Sequence, residues 1–347
     1  MKRFNPALVA FIPVFLAFVP VAQAQVPLDL PQGSPKASVS QTLALTDLTV
    51  SYHRPAVNKR KVWGGLVPYG EVWRAGANEN TTFSSSTPFT FGGKALPAGT
   101  YGLHMLPTEG DWTVILSSQA KAWGSFSYDA KEDVARVAAK PAPADFVERL
   151  TYTFDEPTPD GTALALRWEK LRVAVPIAVD AKQVTLAGIR DQLRGLPRFS
   201  WQGWNQAAGW CARNDITSDE AMAWADRSLS MQKTFANLRT KALLVEKKGD
   251  AKGAAALRAE AMPLATEADI NNLGYQLLGE NKSAEALDMF RKNSREHPQS
   301  WNVWDSLAEG LEKSGDVKGS RENYQKALGM APEDQKKRIT DTLARLK

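Results

Sequence analysis

The strongest constraint on the fold is a repetition near the C-terminus. In "WNVWDSLAEGLEKSGDVKGSRENYQKALGMAP", Trp304, Leu307, Ala308, Leu311, Gly315, Tyr324, Ala327 and Pro332 mix bulky and small apolar residues at helical spacing. Thirty-four residues upstream, Ile270, Leu273, Gly274, Leu277, Ala286, Phe290 and Pro298 follow the same pattern. A period of that length is one helical hairpin: small residues let two helices cross and large ones interlock them. No single hairpin buries its own apolar face, so the units must stack. Two more degenerate units are expected upstream, one with Trp204, Ala208, Cys211 and Trp224, the next with Leu238, Ala242, Val245, Gly249 and Ala254. An amphipathic helix after Pro332, carrying Ile339, Leu343 and Leu346, would cap the stack.

These positions resemble the tetratricopeptide family over roughly residues 200–332. The resemblance implies a superhelical scaffold whose concave face binds peptides or proteins. The same array would also serve as a stabilising appendage to whatever precedes it.

Between residues 37 and 180 the apolar period is two. Leu48, Val50 and Tyr52 alternate with polar residues, as do Tyr101, Leu103 and Met105, then Trp112, Val114 and Leu116. Leu164, Leu166 and Trp168 repeat the alternation, and Leu171, Val173, Val175 and Ile177 close it. Turn chemistry falls between them at Gly92-Gly93, Pro97-Ala98-Gly99, Glu109-Gly110-Asp111 and Pro159-Asp160-Gly161. The fold class is therefore multidomain β plus α: an antiparallel β-sandwich or barrel-like domain, then a tetratricopeptide-like helical solenoid.

The start of the chain reads as an export signal. Lys2 and Arg3 precede an apolar run from Ala7 to Val21 and an Ala22-Gln23-Ala24 cleavage site, so cleavage is expected after Ala24. The run is shorter than the ~20 residues of a membrane span and is broken by Pro13 and Pro20. The expected organisation is signal peptide 1–24, linker 25–36, β-rich domain 37–180, connecting segment 181–199 and helical repeats with a cap over 200–347. The destination is the periplasm or the outside of the cell, with no membrane span after cleavage. The single cysteine, Cys211, rules out an intramolecular disulfide and reads as a small core residue. Without Lys2 and Arg3 the formal charge falls from +5 to +3, with no basic block, so nucleic acid is not an expected partner.

Alternation fails from Arg54 to about Asn80, across "GEVWRAGANENTTF". Trp63, Leu66, Val67, Tyr69, Val72 and Trp73 carry too much apolar surface to remain solvated, so this segment is expected to fold onto the sheet. "SYHRPAVNKRKVWGGLVPYGEVWRAGANENTTF", followed by "LPAGTYGLHMLP", "DWTVILS" and "WGSFSY", resembles the family called domain of unknown function 2911. That resemblance implies an exported bacterial protein, in some members joined to tetratricopeptide repeats, and brings no activity with it. One departure lies at Asn58-Lys59-Arg60, where the family commonly has a glycine before the arginine; the local turn is in question there.

The candidate ligand-binding residues are His53, Arg54, Arg60, Trp73, Arg74, Asn78, Glu79 and His104. Two readings stand side by side. In one, Arg74 and Glu79 form an ion pair that pins the loop while Asn78 closes a turn. In the other, Arg74 binds an anionic or hydroxylated ligand with Trp73 or Trp63 as a flat wall. His53 and His104 with Glu79 would suit a divalent metal if the fold brought them together, although their spacing does not require it. No other cofactor is expected. His297, before Pro298, reads as a helix-end residue, and Asp155-Glu156 as a solvated turn. Nucleophile elbow, phosphate loop and zinc-helix motifs are absent. The leading expectation is a binding or scaffold protein, with a polar pocket for a small molecule in the β-domain and a protein partner on the repeats. The alternative is a periplasmic enzyme, a hydrolase or metal-dependent, using His53, His104, Glu79 and Arg74.

Overall fold

A computed structural model describes residue 1 and residues 30–346; the expected signal segment lies outside the described residues. The chain divides into two compact units. One holds the described residues up to Gln41 and Asp47–Ala178, the other Thr42–Thr46 and the described residues from Val179 onward.

The first unit is built of ten strands: β1 (Lys36–Leu43), β2 (Thr46–His53), β3 (Thr82–Ser85), β4 (Phe89–Phe91), β5 (Lys94–Leu96), β6 (Gly99–Leu106), β7 (Trp112–Ser117), β8 (Asp133–Ala139), β9 (Ala142–Asp155) and β10 (Gly161–Ala178). Six form a sheet in the order β1-β2-β3-β6-β7-β8 and four a second sheet in the order β5-β4-β10-β9. Phe83 of the first sheet meets Phe89 and Phe91 of the second at ring separations of 5.2 and 6.0 Å, so the apolar faces are turned toward each other. Gly92 and Gly93, at φ 56° and 82°, make the two-residue turn between β4 and β5 in a conformation other residues reach only with strain.

The two expected alternations after Asp160 are one long strand, β10, which pairs with β9 through register shifts around Arg167, Glu169 and Leu171. β9 escapes the sequence pattern because only Leu150 and Tyr152 are buried along it. Asp155, expected to be solvated, instead accepts hydrogen bonds from Arg167 at 2.7 Å and Arg172 at 3.0 Å, one carboxylate tying two positions of the neighbouring strand.

The second unit contains α1 (Ala181–Gln192), α2 (Trp201–Arg213), α3 (Asp219–Met231), α4 (Phe235–Lys247), α5 (Ala251–Ala261), α6 (Glu267–Gly279), α7 (Ser283–Glu296), α8 (Trp301–Lys313), α9 (Val317–Met330) and α10 (Glu333–Arg345). The segment 181–199, expected only as a connection, contributes α1 and a 3-10 turn at Leu196–Phe199. Four hairpins follow, from α2/α3 to α8/α9, with α10 after them. Phe290 shows why the period holds: a Cβ on Gly274 would stand 2.4 Å from its ring, and one on Gly310 2.8 Å away, so the ring fits only between two glycines. Side-chain caps start several helices, with reciprocal capping boxes at Thr234/Asn237 and Thr266/Asp269. Cys211 is fully buried among Ala208, Ala212 and Leu244, and His297 ends α7.

Candidate functional site

The segment from Arg54 to Thr81 contains no named strand, yet it is anchored to strands far away in sequence. Val57 N–H donates to Glu148 O at 2.8 Å and Leu150 N–H to Pro55 O at 3.0 Å. Arg54 donates to Leu150 O at 3.0 Å and to the Thr151 hydroxyl at 2.7 Å, while Arg60 closes its own turn on Ala56 O and Val57 O. These two candidate residues serve backbone carbonyls, as buried or half-buried guanidinium groups commonly do.

Four indoles hold the segment in place. Trp63 meets Trp73, Trp112 and Trp168 edge-on at 5.9, 4.8 and 5.6 Å, and Trp73 stacks on Trp168 at 5.9 Å. Trp73 also exchanges backbone hydrogen bonds with Met105, occupying the place beside β6 that β3 leaves. The expected flat wall of a pocket is therefore a packed core. Val62 and Val67 are buried with it, whereas Leu66 and Tyr69 stay exposed, the Tyr69 ring lying over Gly64. The Asn58-Lys59 departure is explained too: both residues lie in the left-handed region, at φ 48° and 57°, where a glycine would sit without strain.

The polar candidates sort into two places. The expected Arg74–Glu79 ion pair does not form. Arg74 donates to Asn78 O at 2.5 Å, lies 5.0 Å from the Phe126 ring and packs on Gly124, whose Cβ would collide with the guanidinium. Burial lowers its pKa. Asn78, at φ 54°, donates to the Gln32 side chain at 2.5 Å and to Ser34 O at 3.2 Å, so the turn it closes also holds residues 32–34, just before β1. Glu79 turns instead to His53, its Oε2 standing 3.0 Å from His53 Nε2. The Glu79 carboxylate is held below its ordinary range, first by its own backbone N–H and then by His53, Gln32 and Lys36. His53 is buried at the end of β2, and both residues line a cavity of about 660 Å³ with Gln32, Lys36, Ser51, Asn80 and Thr82.

His104 does not join them. It is buried on β6, hydrogen-bonded through Nδ1 to the Ser125 hydroxyl at 2.9 Å, with the Tyr128 ring 5.5 Å away. Burial drives its pKa down to about 4, with Asp133 opposing and Arg74 adding to the fall. Next to it, Tyr128 donates to Asp133 at 2.6 Å, and Arg136 donates to both. Burial and the Asp133 bond push the Tyr128 hydroxyl up to about 12. Among the described residues no three His, Cys, Asp or Glu side chains gather as metal ligands. Ser125, Tyr128, Asp133 and Arg136 were not singled out from sequence; the motif "WGSFSY" holds the first two, but nothing in its spacing pairs them with a histidine some twenty residues upstream.

In the helical unit, a groove of about 580 Å³ lies between the α4/α5 and α6/α7 hairpins, lined by Leu243, Met262, Leu273 and Met289 and by the charged side chains of Arg239, Arg258, Lys282, Glu246, Glu280, Glu285 and Asp288. At its wall Arg239 lies over the Phe235 ring at 5.3 Å, with no carboxylate in ion-pair reach among the described residues, and burial lowers its pKa.

Residues 34–177 match the family described as "Protein of unknown function (DUF2911)". The DUF2911 match thus spans both sheets and the loop carrying His53, Arg74 and Glu79. No curated protein matches the chain. Similar solved structures include pilF of Pseudomonas aeruginosa, 15% identical over 43% of this chain and 68% of that one, TM-score 0.29. Two others are YrrB, a TPR protein with an unusual peptide-binding site (16%, 46% and 84%, 0.28), and MamA of AMB-1 (15%, 42% and 80%, 0.28).

Proposed function

We propose that the protein is an exported binding protein whose helical array engages a segment of a partner protein and whose β unit holds a small polar ligand at the His53–Glu79 cavity. The observation that carries the first half is the groove between the second and third hairpins. Leu243, Met262, Leu273, Leu277 and Met289 line it together with charges of both signs, Arg239, Arg258 and Lys282 beside Glu246, Glu280, Glu285 and Asp288, which suits a segment that pairs apolar side chains with charged ones. Cross-linking in the native envelope, with quantitative mass spectrometry of wild type against Arg239→Glu, tests it. Selective loss of one partner supports the reading; an unchanged set of cross-linked proteins refutes it. Export is supported by Lys2, Arg3, the apolar run and Ala22-Gln23-Ala24, and a secreted product beginning at Gln25 is the expected result of intact-mass measurement.

One observation favours an enzyme as a second reading: a carboxylate 3.0 Å from a buried imidazole at a cavity wall can orient a general base. The larger set of His53, His104, Glu79 and Arg74 does not support it, since Arg74 and His104 have other partners. Turnover abolished by His53→Asn in a folded protein would establish catalysis.

A further inference from the structure

The stack of hairpins begins at α2, with the single helix α1 before it, and these two helices leave a groove of about 330 Å³ between them. α1 turns Leu186 and Leu193 into the core shared with Ala208 and Cys211 of α2, while Ile189 and Gln192 on its adjoining face line the groove. Across from them α2 presents Gln206, Ala207, Trp210 and Arg213, spaced at helical period along one face. Leu45 and Pro197 add to the apolar wall. Leu45 is seated on α1 at Gly188, where a Cβ would stand 2.5 Å from its Cδ1.

No acidic side chain lines this groove, and Arg213 is its one charged residue. The carboxylates nearby in sequence are already held: Asp191 by Arg194 at 3.6 Å, Asp215 by Lys247, and Glu220 by Arg190 at 2.7 Å. Among the described residues none stands within ion-pair reach of Arg213, whose guanidinium lies back over Gly209, a Cβ there falling 3.2 Å from Nη1.

An apolar wall gains by being covered, and an unpaired guanidinium at its edge selects the charge of what covers it. We propose that the α1/α2 groove binds an amphiphile made of an alkyl chain and a carboxylate or phosphate head, the chain along Leu45, Ile189 and Trp210 and the head on Arg213. A dry cavity of ~150 Å³ takes a six-carbon ring, so a groove of this size suits a chain of roughly eight to twelve carbons. Leu196 and Phe199 are 86% and 74% exposed on the turn that supplies Pro197, with Arg194 and Arg198 beside them. Apolar and basic together, that turn suits contact with an anionic lipid surface. The same ligand chemistry thus has two sources, a free amphiphile and a membrane lipid. The inference stands apart from the partner groove and from the His53–Glu79 cavity.

The full-length mature protein is titrated with octanoate, octyl phosphate, octanol, octylammonium and acetate, each below its micelle-forming concentration, while the Trp210 indole N–H signal is followed, assigned through Trp210→Phe. The expected result is a saturable shift with octanoate and octyl phosphate, one about fivefold weaker with octanol, and none with acetate. Arg213→Gln is expected to remove the difference between octanoate and octanol. Gln206→Trp, at an exposed position on the groove wall, is expected to block the chain without disturbing the core. Octanol or octylammonium binding as tightly as octanoate in the wild type would overturn the anionic head and with it the proposal. No Trp210 shift with any alkyl compound would overturn the site, and undiminished octanoate binding in Gln206→Trp would place the chain elsewhere and end the inference. Once octanoate binds as expected, co-sedimentation with phosphatidylglycerol vesicles that is lost in the double variant Leu196→Ser, Phe199→Ser assigns the ligand to a membrane. Octanoate binding without co-sedimentation assigns it to a free amphiphile.

Discussion

Each unit is stabilised internally by contacts of a different span along the chain. In the helical unit Phe290 packs between Gly274 and Gly310, one repeat's neighbours on either side, and most caps are made by the residue before a helix and the one three positions into it. In the β unit the loop 54–81 depends on residues some seventy to a hundred positions away: Tyr152 donates to Ala75 O at 2.9 Å, Arg54 to Leu150 O, and Trp73 stacks on Trp168. Damage should therefore stay local in the array and spread in the β unit.

The sharpest test of that contrast is Trp168→Ala. The indole is 1% exposed and is shared by Trp63 and Trp73, so its loss is expected to cost about 3–5 kcal/mol and to release the whole 54–81 segment. Near-ultraviolet circular dichroism in urea should show the loss while the helical signal unfolds as before; joint loss of both would break the contrast. Phe290→Ala should cost about 3–4 kcal/mol, with hydrogen exchange accelerated in α6–α9 and unchanged in the strands.

His104 adds a pH dependence confined to the β unit. Its imidazole takes up a proton near pH 6.5 when unfolded but only near 4 in the fold, so the unfolded chain binds more protons between those values. Stability is complete above about pH 6.5 and falls as the pH drops toward 4, by at most about 3 kcal/mol. The His104 ring signal should show no titration above pH 5. A midpoint near 6.5 in the folded protein would show that the site is open to water.

Smaller effects test the local rules. Thr266→Ala removes one half of a capping box and is expected to cost about 1 kcal/mol, read as a lowered urea midpoint for the helical signal alone. Lys59→Gly relieves a left-handed lysine and is expected to stabilise the β unit by about 0.5–1 kcal/mol; a destabilised variant would mean that the Lys59 conformation is not strained.

Much of the architecture could be read from the chain alone, because period and turn chemistry are local. The alternation at Leu48, Val50 and Tyr52 is β2, the glycine pair at 92 and 93 is a hairpin turn, and the apolar spacing around Ile270 and Trp304 is a stack of hairpins. β9 was missed because its exposed face offers no alternation to count, and Asp155 was misplaced because its two arginines lie on another strand. In the candidate site, sequence named His53, Arg74, Asn78, Glu79 and His104, since glycine-rich loops and scarce histidines are visible as composition. Of the alternatives it left open, the Arg74–Glu79 pair does not form while Glu79 stands beside His53, and Trp73 packs among other indoles; Ser125, Tyr128, Asp133 and Arg136 were not singled out.

Residue order alone thus specified two kinds of secondary structure and the repeat length, which are consequences of interactions within a few residues, and the apolar content of the glycine-rich loop marked it as a segment that must pack on the sheet. Which carboxylate faces which imidazole was decided only when β2, β6 and the loop came together. A polar side chain's partner depends on distances of a few ångströms between segments far apart in the chain, and no local pattern records them.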